Sequence, residues 1–166
     1  MSATSARVRF RLALAFFIAG LLISGITAFP LLHEVRLLVA AFGITEANAA
    51  GGHTGIAWWL LTVKFGLEDM YARYPWIAYG TDWLAFGHIG IALFFIHPLL
   101  RPEQSRPALY AGTAACILVL PLALVCGAIR GIPFSWRLID CAFGIIGLVL
   151  LLYCLRLLRQ IAPVQK

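Results

Sequence analysis

Four charged residues at the ends of apolar segments have the types and spacing of a binding site. Asp82 opens one apolar segment, Arg130 closes another, and Arg137 and Asp140 lie near the start of a third. Two arginines at one depth can clamp an anionic group, because each guanidinium can donate two parallel hydrogen bonds. Arg137 and Asp140 can also pair with each other, since they are three residues apart on a helix. The pattern therefore predicts an anion-binding site or a charge network that fixes helix packing, and both interpretations stay open.

His88 is the second chemical signal, because an ionisable side chain deep in an apolar segment is by default a functional hypothesis. It is flanked by Gly87 and Gly90, which would permit close approach of a helix or a ligand. A neutral histidine hydrogen-bonded to a neighbouring helix is the structural alternative. Polar and aromatic residues from the rest of the chain could approach the region of His88 and the four charged residues. The predicted ligand-binding residues are therefore Asp82, His88, Arg130, Arg137, Asp140, His33, Glu34, Trp83 and Trp136.

No cofactor can be assigned from these residues. His88 and His97 are nine positions apart, so on a helix they point to opposite faces and are separated by about 13 Å. The other three apolar segments contain no histidine, and bis-histidine haem across two helices is therefore unsupported. No metal site, phosphate loop or nucleophile motif is visible. The four cysteines lie in apolar segments without a CxxC pair. They are interpreted as small buried hydrophobes, with a lipid-embedded disulfide or a metal site as the alternative.

The elements that must position these residues are transmembrane helices. The chain has 166 residues, of which 62% are hydrophobic and 12% charged, whereas soluble domains carry about 25% charged residues. A spanning helix needs about 20 mostly apolar residues, and the backbone must be helical in lipid. The sequence predicts a single all-α membrane domain over residues 1–166, with four transmembrane helices at about 12–29, 83–100, 107–128 and 136–157.

Helix contacts and breaks can also be predicted from these segments. Small residues form one stripe on the first span, at Gly20, Ser24 and Ala28, and another on the fourth, at Gly144 and Gly147. Both stripes are typical of helix-packing faces in membranes. Pro121 lies inside the third span and should kink it.

The insert at 31–82 is the longest segment outside the predicted spans. It is interpreted as short interfacial helices on the outer side, at 31–42 and 56–65, with a loop at 43–55 and a polar stretch at 67–74. All five tryptophans fall on this predicted side: Trp58, Trp59, Trp76, Trp83 and Trp136. They indicate either interface anchoring or an aromatic pocket under a helical lid.

Basic residues predict the orientation. The side that carries the two termini has eight basic residues, including Lys166, and one acidic residue. The opposite side has five basic and six acidic residues. The positive-inside rule therefore places both termini in the cytoplasm. A cleaved signal peptide is the alternative for the first span, although that apolar run is long and residues 26–28 form a poor cleavage site.

Two segments carry a resemblance to a known group of proteins. Residues 79–88 (YGTDWLAFGH) and 130–141 (RGIPFSWRLIDC) resemble a group of small, uncharacterised bacterial inner-membrane proteins with four spans. The likeness extends over most of the chain and implies a bacterial inner membrane. It implies no activity.

The leading hypothesis is a non-enzymatic binding or accessory protein with a site at the outer leaflet. Its ligand or partner would be a lipid, a quinone-like molecule or a membrane subunit. One alternative is a transporter or channel component with His88 and Asp82 on an ion or proton path, which four spans would form as a homo-oligomer. Another is a membrane redox protein that uses quinone or haem. Nucleic-acid binding is not expected, because the basic residues lie at span ends.

Overall fold

The computed structural model is all-α. It describes residues 3–49 and 55–162, so that Lys166 and residues 50–54 of the predicted loop lie outside it. The helices are α1 (Ala3–Ala28), α2 (Leu31–Ala41), α3 (Glu46–Ala49), α4 (Ile56–Arg73), α5 (Pro75–Phe94), α6 (Ile96–Leu100), α7 (Arg106–Pro121), α8 (Gly127–Ile129) and α9 (Phe134–Ile161). A 3₁₀ turn, Pro102–Gln104, precedes α7, and a π-helical turn, Leu122–Cys126, joins α7 to α8.

Four stretches of this described chain are helical, long and apolar enough to cross a membrane. They are Thr4–Ala28, Pro75–Leu100, Arg106–Ile129 and Phe134–Ile161. The predicted fold class is confirmed, and the chain is a multi-pass membrane protein. The bounds differ most at the starts of the first two spans, since the first begins at Thr4 rather than at residue 12 and the second at Pro75 rather than at residue 83.

The early start of α5 has a physical cause. Proline suits the first turn of a helix, because its missing N–H would have no intrahelical acceptor there. From Pro75 the helix continues through Gly80 and Asp82 without a break. The Thr81 hydroxyl donates to the carbonyl of Ala78, at 2.7 Å, inside the helix. Asp82 therefore lies seven residues into α5, and its predicted position at a helix start is wrong.

The insert folds into helices that pack on each other. Val35 and Val39 of α2 are buried against Leu60 and Leu61 of α4. Trp136, at the start of α9, packs against this cluster and joins the insert to the spans. The salt bridge from Arg36 to Glu68, at 2.9 Å, lies across the same α2–α4 pair. Helix α4 is continuous from Ile56 to Arg73, where two separate segments were predicted.

Helix α1 packs against both α5 and α9, and α7 packs against α9. We call the end of this bundle that carries both chain termini the terminus end, and the end that carries the insert the insert end. The main core lies towards the terminus end, where Phe10 and Leu14 of α1 are buried with Phe95, Leu109 and Leu151. Phe95, one residue after α5, also makes an edge-to-face contact with Phe17, with ring centroids 5.0 Å apart.

Glycines set the closest helix approaches. A Cβ atom built on Gly25 would lie 2.8 Å from the carbonyl oxygen of Ala85, so α1 and α5 nearly touch there. Gly144 approaches the carbonyl oxygen of Cys116 in the same way, and Gly147 approaches its Sγ atom. The predicted packing role of Gly144 and Gly147 is thus confirmed. That of Gly20 is wrong, because a Cβ there would meet no atom within 4 Å.

Pro121 interrupts the third span, as predicted. The α-helical pattern of α7 ends at this residue and the backbone continues as the π-helical turn. Proline has no N–H to donate, so the carbonyl four residues earlier loses its α-helical partner. A π-helical turn is rare and often occurs at a site with a specific role.

The substitution Gly25→Ala tests the α1–α5 approach. The added methyl group would collide with backbone, and overpacking of this kind costs about 1–3 kcal/mol of unfolding free energy. Gly20→Ala is the matched control on the same helix, and it should be neutral or stabilising by up to about 1 kcal/mol. Denaturant unfolding in mixed micelles, followed by circular dichroism, measures both. Equal stability of the two variants would contradict this contact.

Candidate functional site

One face of α5 carries a row of aromatic side chains with a single carboxylate among them. Tyr79, Asp82, Trp83 and Phe86 are spaced at i, i+3, i+4 and i+7, which places them on one helix face. Tyr79 and Trp83 are in edge-to-face contact, with ring centroids 6.0 Å apart. Trp83 and Phe86 repeat this geometry at 6.0 Å. The row is therefore a defined structural unit.

Phe29 completes this site from the neighbouring helix. Helices α1 and α5 run antiparallel and approach each other at Gly25 and Ala85. Phe29 lies four residues beyond Gly25, about one turn further towards the insert end. A shallow, open cavity of about 270 Å³ with an almost wholly apolar surface is lined by five residues: Phe29, Tyr79, Asp82, Trp83 and Phe86. We call this cavity the aromatic groove.

The aromatic groove opens on the outward surface of a transmembrane helix. Trp83 is 58% exposed and Phe86 is 55% exposed. On a helix that crosses a bilayer, exposed apolar surface of this kind faces lipid. A molecule that lies in the bilayer could therefore enter the groove sideways, without passing through the protein.

Asp82 is the charged residue of the groove. It is half-buried, and within the described ranges its carboxylate forms no salt bridge. Two arginines of the insert pair with other carboxylates, since Arg36 pairs with Glu68 and Arg73 pairs with Asp69 at 2.7 Å. Asp82 therefore contributes to the groove mainly through its apolar atoms, because almost all of the groove surface is apolar.

Arg137 stabilises the packing of α9 against the π-helical turn and α8. Its Nη1 donates to the carbonyl oxygen of Leu124 in the π-helical turn, at 3.0 Å. Its stem packs on Gly127, where a Cβ would lie 2.7 Å from the Arg137 Cδ atom. The guanidinium carbon also lies 5.3 Å from the ring centroid of Phe134. These contacts use most of the side chain for packing, and its buried Nε has no hydrogen-bond partner among the described residues.

The structure does not join the four predicted charged residues into one network. For the described parts of the chain, no salt bridge connects Asp82, Arg130, Arg137 and Asp140 with one another. Arg137 binds a carbonyl oxygen rather than Asp140, which is three residues away on the same helix. Arg130 is exposed at the end of α8, and Asp140 is half-buried on α9.

The remaining predicted site residues lie on other surfaces. His88 Nδ1 donates to the carbonyl of Leu84, at 2.9 Å, inside α5. Its Cβ faces Gly25 of α1. Gly87 and Gly90 contact no other helix, since a Cβ at either would meet nothing within 4 Å.

The insert residues of the prediction are likewise separate from the groove lining. His33 is exposed on α2 and Glu34 is half-buried there. Trp136 packs against the α2–α4 cluster. Of the nine predicted residues, only Asp82 and Trp83 line the aromatic groove. In the described segments, no three histidine, cysteine, aspartate or glutamate side chains come together in a way that could hold a metal ion.

Three lining residues of the groove were missed by the sequence analysis: Phe29, Tyr79 and Phe86. The signal for two of them was present in the i, i+3, i+4, i+7 spacing of residues 79–86. The predicted helix start at residue 83 divided that pattern between a loop and a span. Phe29 could not be assigned, because its place depends on how α1 and α5 pack.

Comparisons with models of known protein families, with curated proteins and with solved structures find no match to this chain.

The substitution Arg137→Ala should lower the unfolding free energy by about 1–3 kcal/mol. It removes a charged hydrogen bond to the π-helical turn together with the packing of the arginine stem. Arg130→Ala is the control, because this exposed side chain should change stability by less than about 0.5 kcal/mol. Arg137→Met keeps the apolar stem without the donor and should fall between them. Thermal unfolding in detergent ranks the three variants, and equal values for Arg130→Ala and Arg137→Ala would contradict the assignment.

Proposed function

We propose that the chain is a non-enzymatic binding protein of a bacterial inner membrane and that it holds an amphiphile in the aromatic groove. The observation that carries this proposal is the groove itself, an open apolar cavity of about 270 Å³ with Asp82 among its lining residues. Small-molecule sites are mostly apolar and contain a few placed polar groups that fix the orientation of the ligand.

An amphiphile fits the groove better than a water-soluble ligand does. The lining is aromatic and faces the bilayer, so a ligand with an apolar chain can reach it from the lipid phase. The volume of about 270 Å³ lies just below the range of about 300–1,000 Å³ for small-molecule sites. The groove therefore suits a polar head and the adjoining part of a chain, while the rest of the chain stays in lipid.

The charge distribution supports an outer-leaflet location for this site. Arginines are concentrated at the terminus end, where Glu103 is the acidic residue among the described positions. The arginines at this end are Arg7, Arg9, Arg11, Arg101, Arg106, Arg156 and Arg159. The positive-inside rule places that end in the cytoplasm. The insert end and the groove then face the opposite side, with both termini cytoplasmic.

A transporter with His88 and Asp82 on one ion path is the alternative that the geometry supports less. The two residues are six positions apart, so at about 100° per residue they lie on different faces of α5. His88 is also occupied by a hydrogen bond within its own helix. Proteoliposomes should therefore show no proton flux above empty vesicles, and flux lost in His88→Ala would favour transport instead.

Saturable photolabelling tests the binding function. The probe is a long alkyl chain that carries a diazirine and ends in a hydroxyl group, mixed into nanodiscs of phosphatidylglycerol that contain the protein. Labelling of peptide 74–90 should saturate as the mole fraction of probe rises, because a binding site fills and bulk lipid contact does not.

Trp83→Leu should raise the half-saturating mole fraction about tenfold, since a tryptophan often contributes a large share of the energy of a binding site. Trp76→Leu is the matched control, because this side chain is 72% exposed on the same helix and lies outside the groove lining. Labelling that rises linearly, or that responds equally to both substitutions, would overturn the proposal.

A further inference from the structure

We propose that the terminus end of the bundle binds a phosphate group, that of an anionic phospholipid, through three arginines that we call the arginine cluster: Arg7, Arg11 and Arg101. Phosphate oxygens carry negative charge and accept hydrogen bonds, and the fork of a guanidinium matches their geometry. The arginine cluster lies at the opposite end of the bundle from the aromatic groove. It would therefore act independently of the function proposed for the groove.

A hydrogen bond between two elements brings Arg11 and Arg101 together. The Nη2 atom of Arg11, on α1, donates to the carbonyl oxygen of Leu100, the last residue of α6, over 3.3 Å. In a trans peptide this oxygen lies about 2.8 Å from the Cα atom of the next residue, Arg101. The Arg11 guanidinium is therefore within about 6 Å of the Arg101 Cα atom, so that both side chains can reach one phosphate.

Arg7 lies on the same side of α1 as Arg11. The two residues are four positions apart, which corresponds to about 40° around the helix axis and about 6 Å along it. Gly25, which meets Ala85 of α5, follows Arg7 by five complete helical turns and marks the side of α1 that faces α5. The helix also contacts α6 and the 3₁₀ turn that follows Arg101. All three arginines therefore surround this connection.

The charges of the arginine cluster are not neutralised within the described chain. All three residues are exposed, and none of them forms a salt bridge in the ranges that the structure describes. The contact with Leu100 uses one of the five N–H groups of the Arg11 guanidinium. Glu103, exposed in the 3₁₀ turn, is the acidic residue described at this end. The cluster keeps a net positive charge even when Glu103 is counted.

The choice of arginine over lysine also indicates phosphate recognition. Every Lys or Arg position that the structure describes at the terminus end is an arginine, whereas Lys64 lies in the insert. Either residue type satisfies the positive-inside rule. The ammonium group of lysine is a strongly hydrated point charge, whereas a guanidinium binds two phosphate oxygens in a fixed geometry. The composition of this end is therefore more specific than orientation in the membrane requires.

The depth of the arginine cluster favours a lipid phosphate over a dissolved one. Leu100 is the last residue of the second transmembrane stretch, and Arg11 lies within the first. Leu12 and Leu100 are exposed apolar side chains next to the arginines. A phospholipid matches this arrangement, because its phosphate lies directly outside its acyl chains. Basic pockets beside transmembrane helices are known to bind anionic headgroups.

Native mass spectrometry tests the site with two lipids that have the same acyl chains, phosphatidylglycerol and phosphatidylcholine, added to the protein in detergent micelles. Phosphatidylglycerol has a net negative charge, whereas the choline cation balances the phosphate of phosphatidylcholine. The dissociation constant of the first bound phosphatidylglycerol should be about tenfold lower than that of the first bound phosphatidylcholine. Equal dissociation constants would overturn the proposal.

Arg101→Gln should weaken the binding of phosphatidylglycerol about fivefold and leave that of phosphatidylcholine unchanged. It removes a guanidinium that forms no salt bridge within the described chain, so the fold should be kept. Arg11→Gln should cause a similar loss, but it also removes the hydrogen bond to Leu100. The Arg101 variant is therefore the more direct test.

Arg156→Gln is the matched control, because it removes an exposed arginine at the same end of the bundle. The Sγ atom of Cys154 donates to the Phe10 carbonyl of α1, at 3.8 Å. Arg156 follows two residues later and so points about 200° away from that contact. Its substitution should change the dissociation constant less than about twofold. Equal losses in the Arg101 and Arg156 variants would indicate a general effect of charge and would overturn the site.

A comparison of salts identifies the source of the phosphate. Binding of phosphatidylglycerol is measured in inorganic phosphate and in chloride at the same ionic strength, so that screening is equal. The same dissociation constant in both salts supports a lipid headgroup. Weaker binding in phosphate supports a dissolved phosphate at the same arginines. Trp83→Leu should leave the preference for phosphatidylglycerol unchanged, which separates this site from the aromatic groove.

Discussion

The approach of α1 to α5 at Gly25 is the contact on which the groove depends. Helices in a bilayer gain little from the hydrophobic effect when they associate, so close van der Waals packing has to hold them together. The missing side chain at Gly25 lets the backbone of Ala85 come within contact distance. The same approach fixes the rotation of α5, so that His88 faces α1 while Asp82 and Trp83 line the groove. It also brings Phe29, from the end of α1, to the groove.

The four spans could be predicted because lipid imposes a length and a composition on any helix that crosses it. Their ends were less predictable. Gly80, Thr81 and Asp82 have the residue types of a helix start, and the sequence alone gave no reason to overrule that pattern. In the structure, α5 begins at Pro75 and passes through all three, because local propensity is a weak prior that packing and the apolar medium can override. Because the start of α5 was predicted too late, the sequence analysis did not recognise the aromatic face of this helix.

Arg137 shows why charges read from a sequence are hard to assign. The sequence indicates a cation near Asp140, at a spacing that allows a pair. It gives no sign that a carbonyl oxygen of the π-helical turn accepts from that cation, or that Gly127 makes room for its stem. Both features come from the packing of α9 against the π-helical turn and α8. Pro121 did indicate a break in the helix, but the change to π-helical bonding after it depends on the tertiary structure.

The position of the main core has a consequence for how this chain can change during evolution. Its buried residues lie mostly on the terminus side of the spans, in Phe10, Leu109, Leu151 and their neighbours. The groove lies at the other end and consists largely of exposed side chains. Under the proposed function, stability and ligand choice are therefore carried by different residues. Related chains could exchange the aromatic residues around Asp82 and acquire new ligands, while the same scaffold continues to fold.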